Sequence, residues 1–125
     1  MSKHELNPAT LNMLVHEFYD LVRQDQDLQP IFDKAIGENW DLHLSHMVDF
    51  WSTVMLGSRQ FQGNVYGKHM LLNGIEAKHF EQWLKLFKNT AYHLFDKEIA
   101  DEISTVAHRI AGSLQYGFFG KIVVQ

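Results

Sequence analysis

The stretch Asn7-Pro8-Ala9-Thr10-Leu11-Asn12-Met13-Leu14-Val15-His16-Glu17-Phe18-Tyr19-Asp20-Leu21-Val22 sets the fold class. Asn7 suits an N-cap, and Pro8 suits the first helical position, where its missing N–H costs nothing. Leu11, Leu14, Val15, Phe18 and Val22 then recur at helical spacing and mark one face of an α-helix over 8–23. Gln24-Asp25-Gln26-Asp27 has no apolar residue and ends it.

The same period returns three times. Over 39–56 it carries Trp40, His43, Leu44, Met47, Phe50, Trp51, Val54 and Met55 in one wide stripe, so this helix is expected to be largely buried. Over 76–95 it carries Phe80, Trp83, Leu84, Phe87, Ala91, Leu94 and Phe95. Over 97–118, with Asp96 as N-cap, it carries Ile99, Ile103, Val106, Ile110, Ala111, Leu114 and Phe118, with Gly117 and Gly120 fraying the end. Between the first two helices, Pro30-Ile31-Phe32 opens a short helical turn that Gly37 closes. Residues 57–67 hold Gly57, Gly63 and Gly67 and no period, which reads as a loop of a length that is often functional. Asn73-Gly74 is a turn signal. The last few residues are too short for a strand and predict a disordered tail or packed coil. The fold class is all-α: four main helices, with a poorly structured segment between the second and third.

Length makes 1–125 a single domain large enough to bury a core. A net charge of −4 with mixed signs offers no basic stripe, which argues against nucleic-acid binding. The chain has no cysteine, which excludes disulfides, thiolate zinc sites, iron–sulfur clusters and cysteine nucleophiles. The polar opening Ser2-Lys3-His4-Glu5 predicts no signal peptide, and no apolar run approaches a membrane span, so the expected location is the cytoplasm. Aromatics (nine Phe, four Tyr, three Trp) and eight histidines stand out. Aromatic excess fits either a dense core or a flat apolar ligand, and composition does not separate the two.

His69 is the leading candidate for chemistry. It lies in Tyr66-Gly67-Lys68-His69-Met70-Leu71-Leu72, past a glycine-bearing loop and at the start of an apolar run, a setting that suits a metal or cofactor ligand. His43 lies on an apolar helix face, as a satisfied core histidine or as a ligand. With His46 it makes an i, i+3 pair that lacks an evident third metal ligand. Tyr19 stands at the edge of its stripe, either at the rim with its hydroxyl in water or turned inward as a donor. Trp51 and Trp83 occupy core positions, and Trp83 gains a functional reading only with a buried partner for its N–H. His4, His16, His79, His93 and His108 read as surface residues. No Ser/His/Asp arrangement, phosphate loop or carboxylate pair emerges.

Taken together, Phe18-Tyr19, Asp27-Leu28-Gln29-Pro30-Ile31-Phe32, Trp40-x-x-His43, Phe50-Trp51, Lys68-His69 and Phe80-x-x-Trp83-Leu84-x-x-Phe87 resemble the truncated haemoglobins, most closely their third, bacterial group. The match in order, spacing and identity covers nearly the whole chain. The resemblance implies a shortened globin fold, a two-over-two sandwich of helices B (8–23) and E (39–56) on G (76–95) and H (97–118), enclosing haem b. His69 then resembles the proximal ligand to the iron. Tyr19, His43 and Trp83 resemble the distal polar residues over the sixth coordination position, and Phe32 the phenylalanine packed on the porphyrin plane. Phe18, Met47, Phe50, Trp51 and Phe80 would line the pocket. Lys68, Tyr66 and Arg59, near His69 in the chain, are candidates for the propionates.

The resemblance also implies O2, NO, CO or peroxide as ligands, high O2 affinity with slow release, a monomer, and an electron-donating reductase for nitric oxide detoxification or peroxidase-like turnover. The competing class is a haem-free helical sensor or interaction domain whose histidines belong to the core.

Overall fold

The computed structural model describes residues 3–57, 69, 70, 72 and 74–125. Five helices are seen among them: α1 (Pro8–Gln24), α2 (Gln29–Ile36), α3 (Trp40–Leu56), α4 (Ala77–Leu94) and α5 (Lys97–Phe119). The helical periods read from the sequence match α1, α3, α4 and α5 to within two residues at each end. The short turn expected at Pro30 is a full two-turn helix, α2. Arg59, Tyr66, Lys68 and most of the expected loop 57–67 lie outside the described residues.

α1 begins as its sequence requires. The Asn7 side chain accepts from the Thr10 N–H at 3.0 Å, and Thr10 Oγ1 accepts from the Asn7 N–H at 2.9 Å. This reciprocal cap satisfies two donors that the helix start would leave unpaired. After α1, Asp25 organises the turn. Its Oδ2 accepts from the Asp27 and Leu28 N–H groups at 3.0 and 2.9 Å, and its Oδ1 accepts from Gln82 Nε2 at 2.7 Å. One carboxylate thus shapes the α1–α2 connection and ties it to α4.

α1 is the hub. It packs on α2, α3 and α4, and α4 packs on α5. The result is an all-α sandwich of two helix pairs, α1/α3 and α4/α5, joined through α1 and α4. Leu11, Leu14, Val15, Val22, Phe87, Ala91, Ile103 and Ala107 form its closely packed side. The expectation that α3 is largely buried fails: only Trp40, Trp51 and Ser52 are, and Val54 is exposed. The stripe on α3 faces a cleft instead of a filled core, which leaves Met47 and Phe50 partly covered.

Gly117 does not fray α5. The helix runs through it and stops at Gly120, whose φ of +73° is a left-handed conformation that favours glycine. The tail then turns back as packed coil. Buried Gln115 accepts from the Val123 and Val124 N–H groups at 2.9 and 2.8 Å and donates to the Val124 carbonyl at 3.0 Å. Ile122 fills the space over Gly112. The other terminus docks too, with the His4 N–H donating to the Leu94 carbonyl at 3.0 Å. No helix among the described residues is long and apolar enough to cross a membrane.

Candidate functional site

Between the helix pairs lies an apolar cleft that opens to solvent. α1 contributes Val15, Phe18 and Tyr19; α2 contributes Ile31 and Phe32; α3 contributes Met47, Phe50 and Trp51. α4 contributes His79, Phe80, Trp83 and Phe87, and α5 contributes Ile110, Leu114 and Phe118. His69, Leu72 and Ile75 complete the wall from the segment before α4. Every element therefore aims part of its apolar face at one space.

Phe18 is the pivot of the wall. Its ring meets Tyr19, Trp83 and Phe87 edge-on, at centroid distances of 4.9, 6.0 and 5.1 Å. Phe87 is also stacked by Trp83 at 5.8 Å and by Trp51 at 4.9 Å. Such contacts add to the burial of each ring and fix its plane. Aromatic residues from three helices are thereby held in one rigid cluster.

Tyr19 is turned inward, not left at the rim. It is 8% exposed, and burial pushes its phenol well above the ordinary range near pH 10. The group is therefore a neutral O–H at any physiological pH. Its ring is boxed by Phe32 at 5.9 Å, Trp40 at 5.8 Å and His43 at 4.9 Å. Trp40 is itself anchored: its Nε1 donates to Asp33 Oδ1 at 3.1 Å, and the Arg23 guanidinium lies 4.4 Å over its ring.

The structure gathers Phe18, Tyr19, Phe32, Met47, Phe50, Trp51, His69, Phe80 and Trp83 around the cleft. It sets His43 apart: the ring packs edge-on against Tyr19 and Trp40 and does not line the cleft. Lys68 lies outside the described residues. His46 is exposed, and no cluster of three or more His, Asp or Glu that could hold a metal forms among the described residues. The reading of His79 as a surface residue is overturned. It is 7% exposed and lines the cleft, because its Nδ1 accepts the Glu76 N–H at 2.9 Å and draws the ring against the start of α4. The signal available in the sequence was its place beside Phe80 and one turn before Trp83.

A family model for bacterial-like globins matches residues 7–115. A relative named group 3 truncated hemoglobin ctb, from Campylobacter jejuni, is 34% identical over 118 residues, which cover 92% of this chain and 93% of that one. The crystal structure of group III truncated hemoglobin from the same species superposes with a TM-score of 0.86 at 33% identity, covering 92% and 93% of the two chains. With the helix arrangement and these matches in agreement, the chain belongs to the bacterial-like globins, a family of haem-based ligand binders, and within it to the group III truncated haemoglobins.

Proposed function

We propose that the cleft holds haem b, that His69 would hold its iron, and that the protein binds O2, NO and CO beside Tyr19 and Trp83. The observation that carries this reading is the convergence of the His69 imidazole, the Tyr19 phenol and the Trp83 indole on an apolar cleft walled by flat rings. The residues fit the group. The wall is apolar and aromatic with a few polar groups, as cofactor sites require. The chain has no cysteine for thioether attachment, so the haem is held without covalent bonds.

Haem iron, when bound, supplies the coordination position that a diatomic gas takes. The protein's own residues govern how tightly that gas is held. His69 would hold the iron through one ring nitrogen. Tyr19 and Trp83 present an O–H and an N–H toward the ligand space; indole is a donor only, and the Tyr19 phenol keeps its proton. Phe18 packs on both rings, so neither donor needs to reorganise. Donors fixed in dry surroundings stabilise negative charge that develops on a ligand. His43 contributes by backing Tyr19.

Each charge-assisted hydrogen bond contributes about 1.5–3 kcal/mol, which mostly slows ligand release. Slow release suits reaction of the gas with nitric oxide, or peroxidase-like turnover, with electrons from a separate reductase, better than it suits O2 delivery. A cytoplasmic location and a monomeric state complete the reading.

The test is a haem titration of the full chain followed by absorbance. A Soret band that saturates at one haem per chain is expected. His69→Gly is expected to shift that band and to make haem retention depend on added imidazole. If no haem is taken up, the protein is a haem-free helical domain; if His69→Gly leaves iron coordination unaltered, another residue is the ligand.

A further inference from the structure

In the haem reading, three polar side chains of the cleft wall, His69, Tyr19 and Trp83, serve the iron and its gas. A fourth, His79, faces the same space and is more than nine-tenths buried. Its Nδ1 accepts the Glu76 N–H at 2.9 Å. A nitrogen that accepts carries no proton, so the neutral ring carries its proton on Nε2. That Nε2 makes no hydrogen bond among the described residues. That nitrogen is left open to the cleft, where an acceptor on a bound group can reach it.

The same tautomer excludes a second axial ligand. Nε2 has no lone pair to give a metal while Nδ1 receives the Glu76 N–H. An acceptor on the rim of whatever fills the cleft therefore meets a donor, not a lone pair. His79 also sits in the first turn of α4, an 18-residue helix whose N-terminal end favours negative charge. The neighbouring Lys78 is directed to Asp27 and Glu76, at 3.8 and 3.9 Å.

We propose that His79 donates its Nε2–H to a carboxylate on the rim of the bound tetrapyrrole. It thereby selects an acidic ring edge over a neutral one and fixes how the ring is seated. This rests on the haem reading of the cleft. His79 acts as a specificity residue for the cofactor and takes no part in gas binding.

Haem and its dimethyl ester, titrated separately into the full chain and followed by Soret absorbance, test this. The wild type is expected to favour the free acid, and His79→Phe to shrink that preference by about tenfold, the size of one hydrogen bond to a charged group. His79→Gln, which keeps a donor, is expected to retain the larger part. A preference unchanged in His79→Phe, or as low in His79→Gln as in His79→Phe, overturns the role of His79 and leaves the haem reading standing. Failure of the wild type to take up either ring overturns the haem reading itself. A second measurement needs no variant. In 15N-histidine spectra of the wild type, His79 is expected as the Nε2-protonated tautomer, with a resonance that moves on adding zinc protoporphyrin and stays put with its dimethyl ester. An Nδ1-protonated ring, or a resonance indifferent to both compounds, overturns the proposal.

Discussion

Where α4 packs on α1 and on α5, Leu11, Leu14, Ile103 and Ala107 are at most 1% exposed. Along α3, Met47 and Phe50 lie partly buried against the cleft, although their helix is the most apolar of the five. Both regions are apolar, and both use helical faces of the same period. They differ in what the faces meet: interdigitating side chains in one case, a shared space in the other. An apolar stripe therefore reports that a helix face avoids water, not that protein fills the other side.

Leu14→Ala and Met47→Ala put this difference to its hardest test. Leu14→Ala removes a side chain that is fully enclosed and is expected to destabilise by about 2–5 kcal/mol in urea unfolding. Met47→Ala in the same cofactor-free protein is expected to cost below about 1.5 kcal/mol, since it loses only partial burial. Its effect should appear instead as faster haem loss. Equal unfolding costs would show that α3 faces a packed core after all, and the comparison would fail.

A smaller effect sharpens the packed side. Gln115→Leu preserves bulk but leaves the Val123 and Val124 N–H groups and the Val124 carbonyl without their partner. The expected cost is about 1–3 kcal/mol, with faster amide exchange confined to the tail. Unchanged exchange would mean that Ile122 alone holds the tail down.

The smallest stability effect falls on the cleft side. Tyr19→Phe is expected to change stability at neutral pH by less than about 1 kcal/mol, because the ring contacts remain. O2 release should nevertheless quicken several-fold, and unchanged release in both Tyr19→Phe and Trp83→Phe would refute the donor pair. The phenol also links stability to alkaline pH. Its folded pKa is raised above the unfolded value near 10, so the folded state holds a proton that the unfolded state has lost. The stability associated with Tyr19 is complete below pH 10 and declines as pH rises above it. Tyr19→Phe should remove that part of the alkaline decline, as read by unfolding at pH 9 and pH 11.

Much of this was legible in the chain. The Asn7-Pro8 start and the periods of Leu11 to Val22, Phe80 to Phe95 and Ile99 to Phe118 report local geometry, because capping and helical spacing are set within a few residues. Nine of the residues singled out for the cleft line it, since the family's spacing encodes which face each helix turns inward. His79 was missed for a physical reason. Its position resembles a polar first turn, and only the hydrogen bond to the Glu76 N–H pulls the ring inward. His43 shows the converse: its face is right, but its ring packs edge-on against Tyr19 and Trp40 and does not line the cleft. The role of Gln115 has no sequence signal, because its partners depend on how the tail folds back.

By itself, then, the sequence determined the helices, their inward faces and the family, for these follow from short-range spacing and from residue identities kept in order. The tertiary structure alone decided which faces close on each other and which enclose a space, and which nitrogen of a buried histidine is committed to the backbone. Those depend on how distant helices are stacked, and no local pattern encodes that distance.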